Sequence, residues 1–350
     1  MDEPSFLANI SCGCFSYTPG FVLMNKGASL YFHSPCFDGI VSAVVVSDFL
    51  ESSQGWSFER FSPVDYDYRL DWLTAELHRP CAVVDFLYHP QATFWADHHS
   101  TTFVTPEAKK DFEQRTDCRW LYFNDRLGSC ALLLWDRLAD SFGYRNPKYA
   151  EMVLWADKID SARYTSVEEA ILGQAPALRI RASMSLKKDA TYFERLVKAL
   201  RAATLDEVAL QPDVNRDAEE VQARVRAGLQ RFGPVARLDD NGIVVFDVDS
   251  EDALISRYAP YYFFPQARYS VGIVRSEGRA KITAMRNPWR EFPSLPLGKI
   301  FEKFGGGGHQ RVGSLLLDGD RISTARAVLD QIVTEIHSQD AVSDFLTSTV

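Results

Sequence analysis

The first half of the chain alternates short apolar runs with longer amphipathic stretches. The apolar runs have the length and composition of buried strands, and they lie at 28–33, 81–86 and 92–99. The amphipathic stretches have helical spacing, and they lie at 39–52, 128–143 and 147–164. Strands that alternate with helices in this way predict an α/β fold with a doubly wound, mostly parallel sheet.

The second half also contains both strand-like and helix-like patterns, and it follows a charged, helical stretch at 165–240. Strand patterns return at 242–249, 267–278, 279–287 and 311–318. One helix is predicted at 297–304 and a closing helix at 320–339. We therefore expect a first domain, a helical connector and a second, smaller α/β domain, with bounds at 1–190, 191–239 and 240–350.

Composition indicates an ordinary soluble chain: of 350 residues, 46% are hydrophobic and 24% are charged, and the net charge is −9. An acidic balance argues against a protein that coats duplex nucleic acid. No apolar run approaches the roughly 18–20 residues that span a bilayer. The N-terminus begins acidic and lacks the basic region of a signal peptide, so we expect a cytoplasmic protein without a membrane partner.

Potential metal ligands follow three of the predicted strands. His33, Asp85 and Asp97 each stand at the carboxyl end of an apolar run, and Asp97 opens the sequence Asp-His-His. In a doubly wound sheet, functional groups gather at these strand ends. Imidazoles with several carboxylates suit Mn²⁺, Fe²⁺, Co²⁺ or Zn²⁺. The pattern therefore predicts a metal site at one edge of the sheet.

The order of motifs carries a resemblance. His-x-x-Cys-x-Asp-Gly at 33–39 is followed by Asp at a strand end, Asp-His-His at 97–99, Asp on a later helix and Gly-Gly-Gly-Gly-His at 305–309. This order resembles the DHH phosphoesterase superfamily, in the branch with a DHH-associated C-terminal domain. That branch includes RecJ-type exonucleases, nano-RNases, pAp phosphatases and cyclic-dinucleotide phosphodiesterases. The resemblance spans about 28–164 and 240–340, and implies a catalytic first domain and a substrate-binding second domain.

The resemblance implies two divalent metal ions bridged by one carboxylate, and a hydroxide that attacks phosphorus in line. The implied metal ligands are His33, Cys36, Asp38, Asp85, His98 and Asp157, with Asp85 as the bridge. As catalytic residues, Asp97 would orient an imidazole and His99 would stabilise charge on the phosphoryl oxygens. The implied substrate-binding residues are Arg286, Gly305, Gly306, Gly307, Gly308 and His309. We expect Mn²⁺, with Co²⁺, Fe²⁺ or Zn²⁺ as alternatives.

Two positions leave alternatives open. Asp157 and Asp160 lie three apart on one predicted helix, and we favour Asp157 because it follows an apolar turn. Most of the superfamily has aspartate where Cys36 stands. As a thiolate ligand, Cys36 would favour Zn²⁺, Fe²⁺ or Co²⁺. As a small buried thiol, the alternative that we favour, it would leave one ion weakly held.

A local basic region supports the expected substrate class. Between Arg275 and Arg311 the chain carries eight basic residues and three acidic ones. We expect an exonuclease-like, metal-dependent phosphohydrolase of short oligonucleotides, nucleotides or other small phosphorylated molecules. The alternatives are a catalytically weakened nucleotide-binding sensor or scaffold and a polyphosphate or pyrophosphate hydrolase. The sequence leaves open whether the protein is a homodimer.

Overall fold

The structure is a computed structural model, and it describes residues 27–115, 119–276 and 278–347. The N-terminal segment on which the cytoplasmic prediction depends lies outside these ranges, so that prediction is untested. Within the described ranges, no helix is both long enough and apolar enough to cross a bilayer.

The first sheet contains five strands within the described ranges, all paired in parallel in the order β2-β1-β3-β4-β5. These strands are β1 Ala28–His33, β2 Phe58–Val64, β3 Cys81–Val84, β4 Phe94–Asp97 and β5 Leu121–Phe123. The helices of this half are α1 Phe37–Gln54, α2 Pro106–Gln114, α3 Cys130–Phe142, α4 Ala150–Asp160, α5 Val167–Leu172, α6 Pro176–Met184, α7 Ala190–Ala202, α8 Leu205–Ala209 and α9 Pro212–Val235.

Both faces of this sheet are covered. Leu30 and Phe32 belong to the same hydrophobic core as apolar residues of α1, α3, α4 and α7. The intervening Tyr31 packs on a second core, which includes Trp72 and Ala108 of α2. Alternate residues of one strand therefore pack on opposite layers. The predicted doubly wound α/β fold is confirmed.

The order of the strands reverses direction between β1 and β3. From β1 the chain moves outward to β2, and then crosses back to the other side of β1 to form β3. Such a reversal opens a crevice at the carboxyl ends of the strands. His33 ends β1 and Asp85 directly follows β3, so both residues border this crevice.

The second sheet is mixed, in the order β10-β11-β9-β8-β7-β6. Its elements are β6 Arg237–Leu238, β7 Ile243–Asp249, α10 Ala259–Phe263, β8 Tyr269–Ser276, β9 Arg279–Arg286, α11 Leu297–Glu302, β10 Gly307–His309, β11 Val312–Asp318 and α12 Ala325–Thr347. Residues of α11 and α12 form a separate core on this sheet. In the range predicted as connector, Leu196 of α7 and Val208 of α8 pack into the core of the first sheet.

Candidate metal centre

A glycine brings α1 directly over the strand ends. A Cβ atom at Gly39 would lie 2.1 Å from the carbonyl oxygen of His33 and 3.2 Å from Oδ2 of Asp85. Asp85 itself has φ +56°, a left-handed conformation that aspartate and asparagine tolerate better than other residues with a side chain. The absence of a side chain at Gly39 therefore allows the start of α1 to lie against the ends of β1 and β3.

Asp85 occupies the centre of the crevice. Its side chain is buried, and neither carboxylate oxygen has a hydrogen-bond partner among the described residues. Oδ2 lies 3.4 Å from Nδ1 of His33, and Oδ1 lies 3.6 Å from Nε2 of His98. Buried carboxylate oxygens are rarely left without a partner, so a bound cation or a proton would account for this group.

His98 presents a lone pair to the same space. Its Nδ1 lies 3.2 Å from the carbonyl oxygen of Leu127, and because a carbonyl only accepts, Nδ1 carries the proton. Nε2 has no hydrogen-bond partner in the described part of the chain, and lies 3.7 Å from Oδ2 of Asp38 and 3.4 Å from Oδ2 of Asp160. A histidine oriented by a backbone carbonyl is typical of a metal ligand.

The N-terminus of α3 fixes the carboxylate of Asp38. The backbone N–H of Cys130 donates to Oδ2 at 2.7 Å, and that of Ala131 donates to Oδ1 at 2.8 Å. These bonds satisfy N–H groups that a helix N-terminus leaves free. They also orient the carboxylate with Oδ2 toward His98.

Asp97 and His99 form a second unit beside the cluster. Oδ1 of Asp97 accepts from the backbone N–H of His98 at 2.7 Å and pairs with Nδ1 of His99 at 2.8 Å. Burial of the His99 ring favours its neutral form, but the hydrogen bond and charge of Asp97 outweigh it and raise the pKa of His99. The side chain of His99 is 30% exposed whereas that of His98 is 9% exposed. His99 is therefore the histidine that a ligand in the crevice can reach.

The structure brings Asp160, and not the favoured Asp157, into a group of potential ligands. Asp157 forms an ion pair with Arg163 and belongs to no ligand group among the described residues. Asp160, the last residue of α4, has a carboxylate within reach of both His98 and Asp38. Asp160 is the last residue of α4, whereas Asp157 lies within the helix and pairs with Arg163.

We expect Asp160→Asn to lower kcat/KM for a phosphodiester about 10²-fold, because a metal ligand is lost. Asp157→Asn removes an ion pair whose arginine is mostly exposed, and is expected to change kcat/KM less than about threefold. Steady-state kinetics of the two variants at one Mn²⁺ concentration makes the comparison. Equal losses in both variants would contradict the assignment.

The potential ligands form three overlapping groups. In each group the ligand atoms lie within 4.8 Å of one another. One contains His33, Cys36 and Asp85, another contains Asp38, His98 and Asp160, and a third contains Asp85, Asp97, His98 and His99. Because Asp85 and His98 each appear in two groups, the geometry has room for two adjacent ions that share a carboxylate.

The electrostatics of the cluster also favour bound cations. Burial first, and then the charges of Asp38 and Asp97, raise the pKa of Asp85. Burial and Asp38 raise the pKa of Asp160 to about 6. Burial and the neighbouring His99 lower the pKa of His33 to about 4, so this imidazole is neutral near pH 7. The residues present therefore fit divalent metal ions, which would offset the excess negative charge.

The thiol of Cys36 lies at the same site. Cys36 precedes α1 as its N-cap, and Sγ is 3.9 Å from Oδ1 of Asp160. Burial raises the pKa of the thiol, and the charges of Asp85 and Asp160 raise it further. In the absence of a cation the thiol is therefore protonated, and only a bound metal ion would favour the thiolate.

The described contacts of the second-domain residues predicted to bind substrate lie within that domain. Arg286 is buried and donates from Nη1 to the carbonyl of Asn287 and from Nη2 to that of Phe292, both at 3.0 Å. Gly307 to His309 form β10 against β11, and Gly308 has φ +152° with the carbonyl oxygen of Val312 only 2.1 Å from an added Cβ. The bonds of Arg286 use Nη1 and Nη2, while its Nε is buried without a hydrogen-bond partner among the described residues. The substrate-binding role of these residues stays a prediction.

The basic region in the second domain is partly neutralised within the fold. Arg275 pairs with Asp247 at 2.7 Å, and Lys303 pairs with Glu335 at 2.5 Å. Both pairs use acids outside the stretch that sequence counting covered. The excess positive charge expected there is therefore smaller than the count indicates.

Sequence reasoning missed Tyr66, which follows β2. Its ring lies 4.7 Å from that of His33 and 6.1 Å from that of His99, measured between centroids. The hydroxyl is buried and has no hydrogen-bond partner among the described residues. No motif marks Tyr66, because only the parallel pairing of β1 with β2 brings it to the crevice.

Comparison with solved structures identifies the fold. The pGpG-specific phosphodiesterase PggH from Vibrio cholerae superposes with a TM-score of 0.66 at 18% identity, over 88% of this chain and 99% of that one. RecJ from Thermus thermophilus with Mn²⁺ gives 0.57 at 15% identity, over 89% of this chain and 52% of that one. The same RecJ with Mg²⁺ gives 0.53 at 15% identity, over 89% and 50%.

These likenesses show a shared fold. No family model matches the chain, and no curated protein matches it by sequence. RecJ-type enzymes are part of the branch to which the motifs point, so the resemblance is confirmed at the level of the fold. The chain spans about half of the length of RecJ and nearly all of the phosphodiesterase.

Proposed function

We propose that this protein is a metal-dependent phosphohydrolase that cleaves phosphoester bonds in nucleotides or very short oligonucleotides. The observation that carries the proposal is the buried carboxylate of Asp85, whose oxygens have no described hydrogen-bond partner and face two imidazoles. Few arrangements other than metal binding account for such a group. The fold shared with a phosphodiesterase and with RecJ supports the same reaction class.

In this proposal two of the three ligand groups would each hold one ion. His33, Cys36 and Asp85 would hold the first, and Asp38, His98 and Asp160 would hold the second. Asp85, whose Oδ1 lies 3.6 Å from Nε2 of His98, would be shared between them. When bound, such ions lower the pKa of a water nucleophile and stabilise charge on phosphoryl oxygens.

The Asp97–His99 pair supplies the proton chemistry. Asp97 holds Nδ1 of His99 by a short hydrogen bond, which leaves Nε2 as the ring nitrogen available to a substrate. Because the pKa of His99 is raised, Nε2 carries a proton over a wider pH range than in a free histidine. His99 then donates a hydrogen bond to a phosphoryl or leaving-group oxygen.

The substrate is proposed to be short. The likeness covers nearly all of a phosphodiesterase named for a dinucleotide, but only half of RecJ. The phosphodiesterase also gives the higher TM-score of the two, 0.66 against 0.57. The finer choice of Mn²⁺ as the working ion is supported by one RecJ structure that contains it.

Hydrolysis of a substrate panel tests this function. Purified protein is treated with a chelator and assayed with pApA, pAp, an aryl phosphodiester and pyrophosphate, each with Mn²⁺, Mg²⁺, Co²⁺ or Zn²⁺. We expect turnover of pApA that requires added metal. Turnover of pyrophosphate alone would favour the polyphosphatase alternative, and tight nucleotide binding without turnover of any substrate would favour the sensor.

The position of Cys36 among the potential ligands supports a role as a metal ligand rather than as a buried thiol. Spectroscopy with Co²⁺ tests this role. Protein loaded with Co²⁺ is expected to show a thiolate-to-cobalt absorption band in the near ultraviolet, which Cys36→Ser abolishes. Cys36→Asp is expected to retain activity and to shift the preferred ion toward Mn²⁺, since an oxygen ligand replaces sulfur. Identical cobalt spectra in wild type and Cys36→Ser would contradict the ligand role.

A further inference from the structure

The hydroxyl of Tyr66 is a buried proton donor to which the proposed mechanism gives no role. No residue in the described part of the chain accepts a hydrogen bond from it. A buried tyrosine hydroxyl usually finds such a partner, because an O–H group removed from water without one costs free energy. At the edge of a site proposed to bind a substrate, a donor without a protein acceptor indicates that the acceptor belongs to the ligand.

The segment after β2 holds Tyr66 in place. Tyr66 begins a short 3₁₀ helix, and the side chain of Asp65 accepts a backbone hydrogen bond at its start. Arg69, which follows this helix, donates from Nη2 to the backbone carbonyl of Thr101 at 3.3 Å. That carbonyl belongs to the loop after the Asp-His-His sequence, so the segment that carries Tyr66 is joined to the loop that carries the catalytic pair.

The ring of Tyr66 packs against two histidines of the site. It meets His33 at 68° and His99 at 77°, with centroids 4.7 Å and 6.1 Å apart. Aromatic pairs favour such edge-to-face contacts. On a third side the ring of Phe86 lies 5.2 Å away. Tyr66 therefore adjoins both a proposed metal ligand and the histidine proposed to contact the substrate.

The hydroxyl lies close to the acids of the site without bonding to them. Burial raises the pKa of Tyr66, and the charges of Asp97 and Asp85 raise it further. Both oxygens of Asp85 and Oδ2 of Asp97 are themselves without a hydrogen-bond partner among the described residues. Tyr66 therefore does not orient a carboxylate. A phenol is protonated at neutral pH even at its ordinary pKa of about 10, so its proton is available to a bound molecule.

A phosphoryl oxygen is an acceptor that fits this position. Metal ions accept no hydrogen bond, whereas the oxygens of a phosphoester accept several. The hydroxyl is enclosed in the same way as Nδ1 of His33 and the two oxygens of Asp85, and these atoms are proposed to hold the first ion. A phosphoryl group that contacts this ion therefore enters the space beside the hydroxyl.

We propose that the Tyr66 hydroxyl donates a hydrogen bond to a non-bridging phosphoryl oxygen of the substrate, and that this bond strengthens as charge develops on that oxygen. The inference rests on the proposed function and adds a catalytic residue to it. A donor held in advance at a position of developing charge stabilises the transition state without reorganisation. The proton remains on the tyrosine throughout, so no proton transfer is involved.

Tyr66→Phe removes the hydroxyl and keeps the ring. With Mn²⁺ and pApA we expect it to lower kcat about 10²-fold and to change KM less than about threefold, because the lost bond is strongest in the transition state. The metal-free Tm should equal or exceed that of the wild type, since a buried hydroxyl without a partner is removed. The rise in Tm with added Mn²⁺ should be unchanged.

Tyr68→Phe is the matched control. It makes the same change two positions further along the same 3₁₀ helix, at a tyrosine that is 59% exposed. We expect wild-type kcat, KM and Tm from this variant. A loss of activity equal to that of Tyr66→Phe would show that the effect comes from the segment and not from the Tyr66 hydroxyl.

Sulfur substitution in the substrate tests the contact itself. Each phosphorothioate diastereomer of pApA replaces one non-bridging oxygen by sulfur, which is a weaker hydrogen-bond acceptor. The wild type should lose activity on the diastereomer whose sulfur meets Tyr66. In Tyr66→Phe that loss should be about 10-fold smaller, because the bond that sulfur weakens is already absent. Tyr68→Phe should retain the wild-type response to sulfur.

The outcomes separate this inference from the proposed function. If the wild type hydrolyses no phosphoester with any of the ions, the function fails and the inference fails with it. If the wild type is active and Tyr66→Phe keeps its kcat, the inference alone is overturned. Equal responses to sulfur in wild type and Tyr66→Phe would also contradict it, because Tyr66 would then act on the fold or on the metal centre.

Discussion

Asp85→Asn is expected to lower kcat/KM for phosphodiester hydrolysis by at least about 10³-fold while the protein remains folded. Asp85 lies 3.4 Å from His33 and 3.6 Å from His98, histidines of the two proposed ion sites, so its loss is expected to weaken both sites at once. The backbone at residue 85 has φ +56°. Asparagine tolerates this conformation nearly as well as aspartate, so the backbone is not strained.

Thermal unfolding distinguishes metal loss from misfolding in the same variant. Added Mn²⁺ is expected to raise the Tm of the wild type, because an ion that binds only the folded state stabilises it by mass action. In Asp85→Asn the metal-dependent rise should be small, while the metal-free Tm should equal or exceed that of the wild type. The substitution removes one of several buried acids that repel one another when no ion is bound.

The matched control is Asp140→Asn, an exposed acid on α3 outside the cluster. This variant should retain the wild-type kcat/KM and the full rise in Tm with Mn²⁺. If Asp85→Asn keeps more than a tenth of the activity, or keeps the metal-dependent stabilisation, Asp85 does not bridge the ions.

Gly39→Ala is expected to destabilise the fold by about 2–3 kcal/mol and to lower activity at least about 10²-fold at temperatures where the variant is folded. The added methyl group would lie 2.1 Å from a backbone oxygen of His33. Because backbone cannot rotate aside as a side chain can, the start of α1 and the end of β1 must separate. That movement displaces ligands on both segments, His33 and Asp38.

Gly55→Ala provides the comparison for this effect. Gly55 ends α1 with φ +71°, and no atom lies within 4 Å of an added Cβ. The substitution should cost about 1 kcal/mol of stability through backbone strain alone, with unchanged kcat/KM below the Tm. Denaturant unfolding and kinetics of both variants separate the two effects. Full activity of folded Gly39→Ala would show that the close approach of α1 does not shape the site.

The first sheet could be predicted from sequence because its central strands are buried on both faces. β1 has the predicted bounds, and β3 and β4 lie within the predicted runs. The edge strand β2 was not predicted, because its exposed Glu59 and Arg60 and its Pro63 interrupt any apolar pattern. Edge strands face solvent on more sides and so carry a weaker hydrophobic signal.

The candidate site was predictable where a ligand stands at a strand end. His33, Asp85 and Asp97 follow apolar runs, and parallel pairing brings such ends to one edge. The choice between Asp157 and Asp160 was not predictable, because it depends on where α4 ends and on the ion pair with Arg163.

Residues that reach the site only through tertiary packing belong to no recognisable sequence motif. Tyr66 reaches the crevice because β2 pairs with β1. Tyr66 is 33 positions from both His33 and His99, whose rings it approaches. Contacts over such separations follow from tertiary structure, which local patterns do not encode.

Anomalous diffraction from crystals grown with Mn²⁺ tests the central claim most directly. We expect two manganese peaks at the carboxyl end of the first sheet, one beside His33 and Cys36 and the other beside Asp38, His98 and Asp160. Asp85 should contact both peaks. A single peak, no peak, or peaks that Asp85 does not contact would contradict a two-metal phosphohydrolase.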